Sequence, residues 1–346
     1  MKKIILLLLL LPFYCLAQIP AYYNSINFSQ PANTIKTQLS QLITTTHTHE
    51  LIYTPEVWNA LKQTDIDPAN PNNVLLIYGY NDTDASPNND RSRSKDASCH
   101  TSSCNGLWVR EHVFPRSLGN PNLDFEGPGS DAHHLRAIDS NMNNDRGNRK
   151  YAAGSGNSSM LAGSLFYPGD EWKGDVARMI MYMYLRYQSQ CLPVAVGAGS
   201  TSYSPLGDMP NIFLEWNAQD PVNAYEINRN NVLQNMQGNR NPFIDNPYLA
   251  TMIWNGPAAQ NTWTTLGLQD VAQQTLYVYP TLTKGIVYVM NSTEPQHTYT
   301  VYNSLGQQVK ASISDNIIDL SGNAQGIYFL NIEEAAAHKT FRVVLQ

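Results

Sequence analysis

Residues 106–117 read GLWVREHVFPRS, which sets a carboxylate, Glu111, beside an imidazole, His112, within an apolar stretch. On an extended strand successive side chains point to opposite faces, so these neighbours would address two different groups. An imidazole titrates near neutral pH and suits a general base. A carboxylate suits a hard cation. Glu-His pairs also arise by chance on surface strands, so the meaning of this one depends on what the rest of the chain supplies.

A second stretch, SDAHHLRAIDSNMNNDRGNRKY (130–151), supplies it. Asp139 or Ser140 can cap a short helix at its start, and Gly147 suits its stop. The interior carries Asn141, Asn143, Asn144 and Asp145, which are indifferent or poor helix formers. Packing of a short surface helix does not call for that composition. At helical spacing Asn143 and Arg146 share a face.

Phosphodiester hydrolysis needs a base for water, a cation to neutralise the phosphate, and oxygen ligands for that cation. Glu111 and Asn143 offer a carboxylate and an amide carbonyl, the donors Mg²⁺ or Ca²⁺ prefers, with Mn²⁺ a further candidate. His112 is the candidate base. Arg146, Arg136 or Arg116 would hold the phosphate or the developing charge. Drawing ligands from a strand and from a helix further along the chain requires a compact strand–loop–strand–helix unit.

Other elements must carry that unit. Apolar spacing predicts a helix over 34–47, and a β-branched and aromatic run predicts a buried strand over 73–80. Residues 81–105 read as polar loop. Val176, Ile180, Met183 and Tyr187 recur at three-to-four spacing and predict a helix over 174–188. Met179, Met181, Tyr182 and Tyr184 there read as core packing, and Arg178 as bonding internally. After about residue 270 apolar and polar residues alternate between Gly, Asn and Ser turns, the pattern of a small antiparallel β-sandwich.

The chain has 346 residues and a net charge of −6. Basic residues nevertheless gather around the two informative stretches, which fits a polyanionic substrate as well as a solvated surface. MKKIILLLLLLPFYCLAQ opens with two lysines, an apolar run too short to span a bilayer and a small residue at Ala17. That order predicts a signal peptide over 1–17. No later stretch predicts a transmembrane span. Cys99 and Cys104 are expected to pair in an oxidising compartment; the alternative, a metal site, finds only His100 nearby. Cys191 reads as a buried thiol.

REHVFPRS, DAHHLRAIDSNMNNDRGNRKY, KGDVARMIMYMYLRY and QGNRNPFIDNP, in that order, resemble the endonuclease I family of secreted and periplasmic nucleases. The resemblance implies an α+β fold with a ββα-metal (His-Me finger) core surrounded by helices. It also implies cleavage of DNA, often RNA as well, with little sequence preference, a divalent cation, usually Mg²⁺, and products with 5′-phosphate ends. Carried over by position, His112 matches the base, Glu111 and Asn143 the metal ligands, and Arg146 and Asn148 the RGN segment with a supporting role. Some members carry a phosphate-holding arginine between the two motifs. Here that segment is LGNPNLDFEGPGS, without a basic residue, which leaves Arg116, Arg136 and Arg146 as candidates.

VYPTLTKG, YTVYNSLGQQV, IDLSGNAQGIYFLNI and the closing KTFRVVLQ resemble the type A sorting domain of the type IX secretion system. That implies passage through the type IX machinery, with release or surface attachment. The expected organisation is a signal peptide (1–17), a nuclease domain (19–260), a linker (261–274) and a sorting β-sandwich (275–346), in a chain with no sign of obligate oligomers. HTHEL (47–51) lacks the following His of a metalloprotease helix. A non-catalytic adhesin that keeps the nuclease fold for binding is the alternative. The intact trio of Glu111, His112 and Asn143 favours the enzyme.

Overall fold

The computed structural model describes residues 18–263, 277–290, 298–314, 316–334 and 337–346. The predicted signal peptide and most of the predicted linker lie outside them. Two units separate, Met1–Thr265 and Leu266–Gln346.

In the first unit, helix α1 (Ala32–Thr45) buries Ile35, Leu39 and Ile43, a stripe of side chains four apart. Helix α2 (Glu56–Thr64) buries Val57, Trp58, Ala60 and Leu61. The next regular elements form a three-stranded antiparallel sheet of β1 (Ile66–Asp67), β2 (Asn70–Leu75) and β3 (Ser92–Ser94). The strand expected over 73–80 thus ends at Leu75. Beyond it Tyr78 adopts φ +69°. A Cβ on Gly79 would lie 2.0 Å from the Asp90 carbonyl oxygen, so this close approach requires glycine. The chain turns there, and buried Tyr78 points inward.

Strands β4 (Trp108–His112) and β5 (Leu135–Asp139) form a separate antiparallel pair, with Glu111 opposite Arg136 and His112 opposite Leu135. Helix α3 (Ser140–Arg146) follows β5 directly. Asp139 makes that junction rigid. Its Oδ1 accepts the backbone N–H groups of Asn141 (2.7 Å) and Met142 (3.0 Å), and its Oδ2 accepts from Arg93 Nη1 at 2.7 Å. Gly147, at φ +55°, ends the helix. One carboxylate therefore satisfies orphan helix donors and ties α3 to Arg93 of β3.

Helix α4 (Lys173–Tyr187) buries the stripe of Val176, Ile180 and Met183 and also the expected core residues Met179, Met181 and Tyr182; every residue from Gly174 to Met183 is buried. It is a central element enclosed on all sides, and its charges are neutralised internally. Arg178 makes a two-pronged contact with Glu226 (Nε to Oε1 2.6 Å, Nη2 to Oε2 2.8 Å). Asp175 accepts from Arg136 Nη1 at 3.0 Å.

A second buried network centres on Asp65, at the end of α2. Its Oδ2 accepts the Ala137 N–H of β5 at 2.7 Å. Its Oδ1 accepts from Arg229 Nη1 and from the Tyr225 hydroxyl at 3.2 Å, and lies 3.4 Å from Arg136 Nε. Arg229 also donates to the carbonyls of Ala132 and Leu135. Helix α2, strand β5 and the helix Ala224–Gln237 are thus tied at one point.

Among its described residues the second unit contains two four-stranded sheets. One orders Leu282–Thr283, Ala337–Leu345, Gly326–Glu334 and Thr298–Asn303; the other orders Ser312–Ser314, Ile317–Asp319, Ile286–Met290 and Tyr277–Tyr279. Pairings are antiparallel except that Leu282–Thr283 runs parallel to the final strand. Alternate residues such as Tyr328, Leu330 and Ile332 fill one apolar core with Val287, Val301 and Ile318, as period-two patterning requires.

Removing a partner from a buried ion network leaves uncompensated charge, at about 3–5 kcal/mol. Asp65→Ala is expected to lower unfolding free energy by about that amount in urea titrations followed by circular dichroism. A midpoint unchanged from wild type would show that Asp65 does not tie these elements together.

Candidate active site

Glu111 is 2% exposed and faces inward from β4. Its Oε1 accepts from the Tyr78 hydroxyl at 3.1 Å and lies 3.4 Å from Arg146 Nη1. The Tyr78 and Tyr151 hydroxyls are 2.8 Å apart, and Tyr151 donates to the Val113 carbonyl at 2.8 Å. Burial raises the Glu111 carboxyl above its ordinary pKa, while Arg146 and the Tyr78 hydrogen bond pull it partly back.

Arg146 lies beneath the site instead of at its surface. Its side chain is 1% exposed, and it donates to the carbonyls of His112 (3.4 Å), Gly147 (3.1 Å) and Val113 (3.1 Å). Burial disfavours its charge, but Tyr151, Glu111 and Tyr78 outweigh that and raise its pKa. These contacts join Arg146 to Glu111 and the end of β4, as the supporting role implied by the RGN segment would require, and the residue also lines the groove.

His112 points the other way. Its Nε2 is 2.9 Å from the Gly129 carbonyl oxygen. A carbonyl only accepts, so Nε2 carries the proton and Nδ1 keeps a lone pair. Burial, reinforced by His134, holds this imidazole well below its ordinary pKa despite the Gly129 contact and so favours the neutral ring.

The turn that supplies this carbonyl is itself held. A Cβ on Gly129 would sit 1.5 Å from the Asp124 carbonyl oxygen, which excludes any other residue in this backbone. His134 Nε2 donates to the adjacent Pro128 carbonyl at 2.7 Å. His133 is buried near the Asn239 carbonyl at 3.3 Å and packs on Tyr182. Neither residue of the His-His pair faces the groove.

Glu111, His112, Arg116, Asn143, Arg146 and Asn148 line one open groove together with Arg110. Asn143 comes from α3 and is half-buried. Arg116 Nε donates to the Leu123 carbonyl at 2.7 Å, and Asn148 Nδ2 to Ser117 Oγ at 3.2 Å. Arg136 does not belong to this set. It is fully buried against Asp65, Asp175 and Tyr225, whose hydroxyl it meets at 2.6 Å. Its expected contact with substrate is therefore corrected to a structural role.

Cys99 and Cys104 form a disulfide. The Cys104 carbonyl accepts from Ser140 Oγ at 2.5 Å, which ties the disulfide loop to the start of α3. Cys191 is a buried free thiol. Sequence reasoning missed Tyr78, Tyr151 and Gly129, because each acts through a partner distant in sequence. The pairing of a turn glycine with a tyrosine in IYGY was the one local signal for Tyr78.

The donors suit a hard cation. Glu111 and Asn143 both line one groove and carry oxygen donors, and such a sparse set fits an ion that keeps several waters. Among the described residues no group of three or more His, Cys, Asp or Glu could form a closed transition-metal site. No helix among them is long and apolar enough to cross a membrane.

Residues 31–248 match the Endonuclease I family, which is generally divalent-metal dependent, and residues 277–346 match the secretion system C-terminal sorting domain. Over 251 residues the chain is 38% identical to the "Extracellular ribonuclease" of Bacillus subtilis (strain 168), covering 69% of this chain and 80% of that protein. It is 39% identical over 251 residues to the "Extracellular ribonuclease" of Bacillus amyloliquefaciens, covering 69% and 79%. A nuclease implies a nucleic-acid substrate, and the sorting domain implies secretion machinery. The chain belongs to the endonuclease I family and is a nuclease that acts outside the cell or at its surface.

Proposed function

We propose that this nuclease hydrolyses phosphodiester bonds of RNA, and of DNA, with little sequence preference, using His112 to activate water. The observation that carries the reading is the Nε2 contact of His112 to Gly129, with Glu111 on the opposite face of β4 and Asn143 on the same groove. The order β4–β5–α3 supports a ββα-metal core. The extracellular ribonucleases it resembles support RNA as a substrate. The sorting domain supports export by the type IX machinery after the signal peptide is removed.

In this reading Nδ1 of His112 takes a proton from water as the water oxygen bonds to phosphorus. The bond from phosphorus to the 3′ oxygen breaks on the far side, and that oxygen leaves and is protonated from solvent. The products carry 5′-phosphate and 3′-hydroxyl ends. Glu111 and Asn143 would hold a divalent cation, Mg²⁺ or Mn²⁺, which supplies charge neutralisation at the phosphate and the departing oxygen. Arg146 and the Tyr78 hydroxyl keep Glu111 aimed. Arg116, the most exposed of the three candidate arginines, would meet phosphate. Because the site is a groove, contacts go to backbone and sugar, which carry little sequence information.

Two experiments check this. Cleavage of single-stranded RNA and supercoiled plasmid should require Mg²⁺, stop with EDTA, and fall about 10²- to 10⁴-fold in His112→Ala, with 5′-phosphate ends on the RNA fragments. Wild-type rates in His112→Ala, or cyclic-phosphate ends, would contradict water activation by His112. Tyr78→Phe removes the hydroxyl donor to Glu111 and should raise the Mg²⁺ needed for half-maximal cleavage by roughly tenfold or more, as loss of a ligand's supporting hydrogen bond does. An unchanged Mg²⁺ dependence would show that the hydroxyl does not orient Glu111.

A further inference from the structure

The loop between β4 and β5 contains one aromatic residue beyond Phe114, Phe125, which is 51% exposed. A single exposed apolar side chain is ordinary. This one, however, has defined neighbours. Its ring centroid lies 4.6 Å from that of Tyr53. Tyr53 in turn lies 5.7 Å from the His112 ring, at an interplanar angle of 23°. The guanidinium carbon of Arg116 is 3.7 Å from the Phe125 centroid, and that of Arg110 is 3.5 Å from the Tyr53 centroid. Arg110, His112 and Arg116 line the same groove. Two aromatic rings, each with a guanidinium over it, therefore extend outward from the proposed base.

Both guanidiniums are held in place. Arg116 donates through Nε to the Leu123 carbonyl at 2.7 Å, and Arg110 donates through Nη1 to Tyr53 O and to Thr54 Oγ1, the latter at 3.1 Å. Rings interleaved with fixed cations are how proteins hold single strands: the ring offers a stacking face, and the cations meet phosphate. Stacking tolerates any base because every base has a π-face. It also needs a base free of its own helix, since bases within a duplex are already stacked.

Resting on the nuclease reading above, we propose that Phe125, seated on Tyr53 and flanked by Arg116, with Arg110 over Tyr53, is a stacking platform for an unpaired nucleobase adjoining the scissile phosphate. The loop that lacks a phosphate-holding arginine carries a base-holding ring instead. The enzyme then favours single-stranded or looped substrate over duplex without reading its sequence.

The test compares a single-stranded RNA oligonucleotide with a strand of equal length in which every base is replaced by hydrogen, using wild type, Phe125→Ala and Phe125→Trp. Loss of one stacked base corresponds to roughly 5- to 150-fold. Phe125→Ala should lose that factor in kcat/KM on the RNA, chiefly through KM, and keep the wild-type rate on the base-free strand. Phe125→Trp should retain activity on both. Parallel loss on both strands would show that the ring only shapes the loop, and no loss on the RNA would show that it holds no base; either overturns the platform. Failure of wild type to cut the RNA would instead sink the RNA-nuclease reading, and the platform with it.

Discussion

The buried Arg146 guanidinium holds the candidate site together. It is the C-terminal residue of α3, yet it reaches back to the end of β4, where it meets Glu111 and the carbonyls of His112 and Val113. A buried carboxylate is costly unless paired and hydrogen-bonded, so Glu111 can be kept inside β4 only because this cation and Tyr78 sit against it. The same contacts fix the distance between strand and helix, and with it the separation of Glu111 and Asn143. Losing the arginine would release both the carboxylate and the register of α3 on β4.

From that constraint the division of labour along β4 follows. Period-two alternation sends Glu111 toward Arg146 and leaves Arg110 and His112 on the other face, beside Tyr53. One strand thereby presents an oxygen donor and a neutral imidazole at once. The 127–129 turn completes the arrangement. Consecutive carbonyls, of Pro128 and Gly129, accept from His134 and His112, and the close contact at Gly129 leaves the backbone no room for a side chain. The tautomer of His112 is thus set by a turn that a second histidine holds.

What was legible in the sequence was local. The short helix after β5 could be bounded because Asp139 and Gly147 act on their own neighbours, and the opposite facing of Glu111 and His112 follows from strand geometry alone. The alternation of the C-terminal strands was likewise readable, although the parallel pairing of Leu282–Thr283 was not. The three arginines show the limit. Arg116, Arg136 and Arg146 look alike in sequence, but their environments are set by partners far along the chain. Arg136 is enclosed by Asp65, Asp175 and Tyr225 away from the groove, Arg146 lines the groove but is buried against Glu111 and strand-end carbonyls, and Arg116 lines it while staying partly exposed. Tyr78 escaped for a similar reason: its role depends on a left-handed turn where the apolar run suggested a continuous strand.

The proposed hydrolysis requires His112 to stand as a neutral imidazole with Nε2 protonated and Nδ1 free to accept a proton. The most direct measurement is the ¹⁵N spectrum of histidine-labelled protein at neutral pH, with the His112 signals assigned by their loss in His112→Gln. A protonated Nε2 and an unprotonated Nδ1 are expected for this ring. A proton on Nδ1, or a doubly protonated ring, would contradict the proposed hydrolysis, because the lone pair needed to activate water would then be missing.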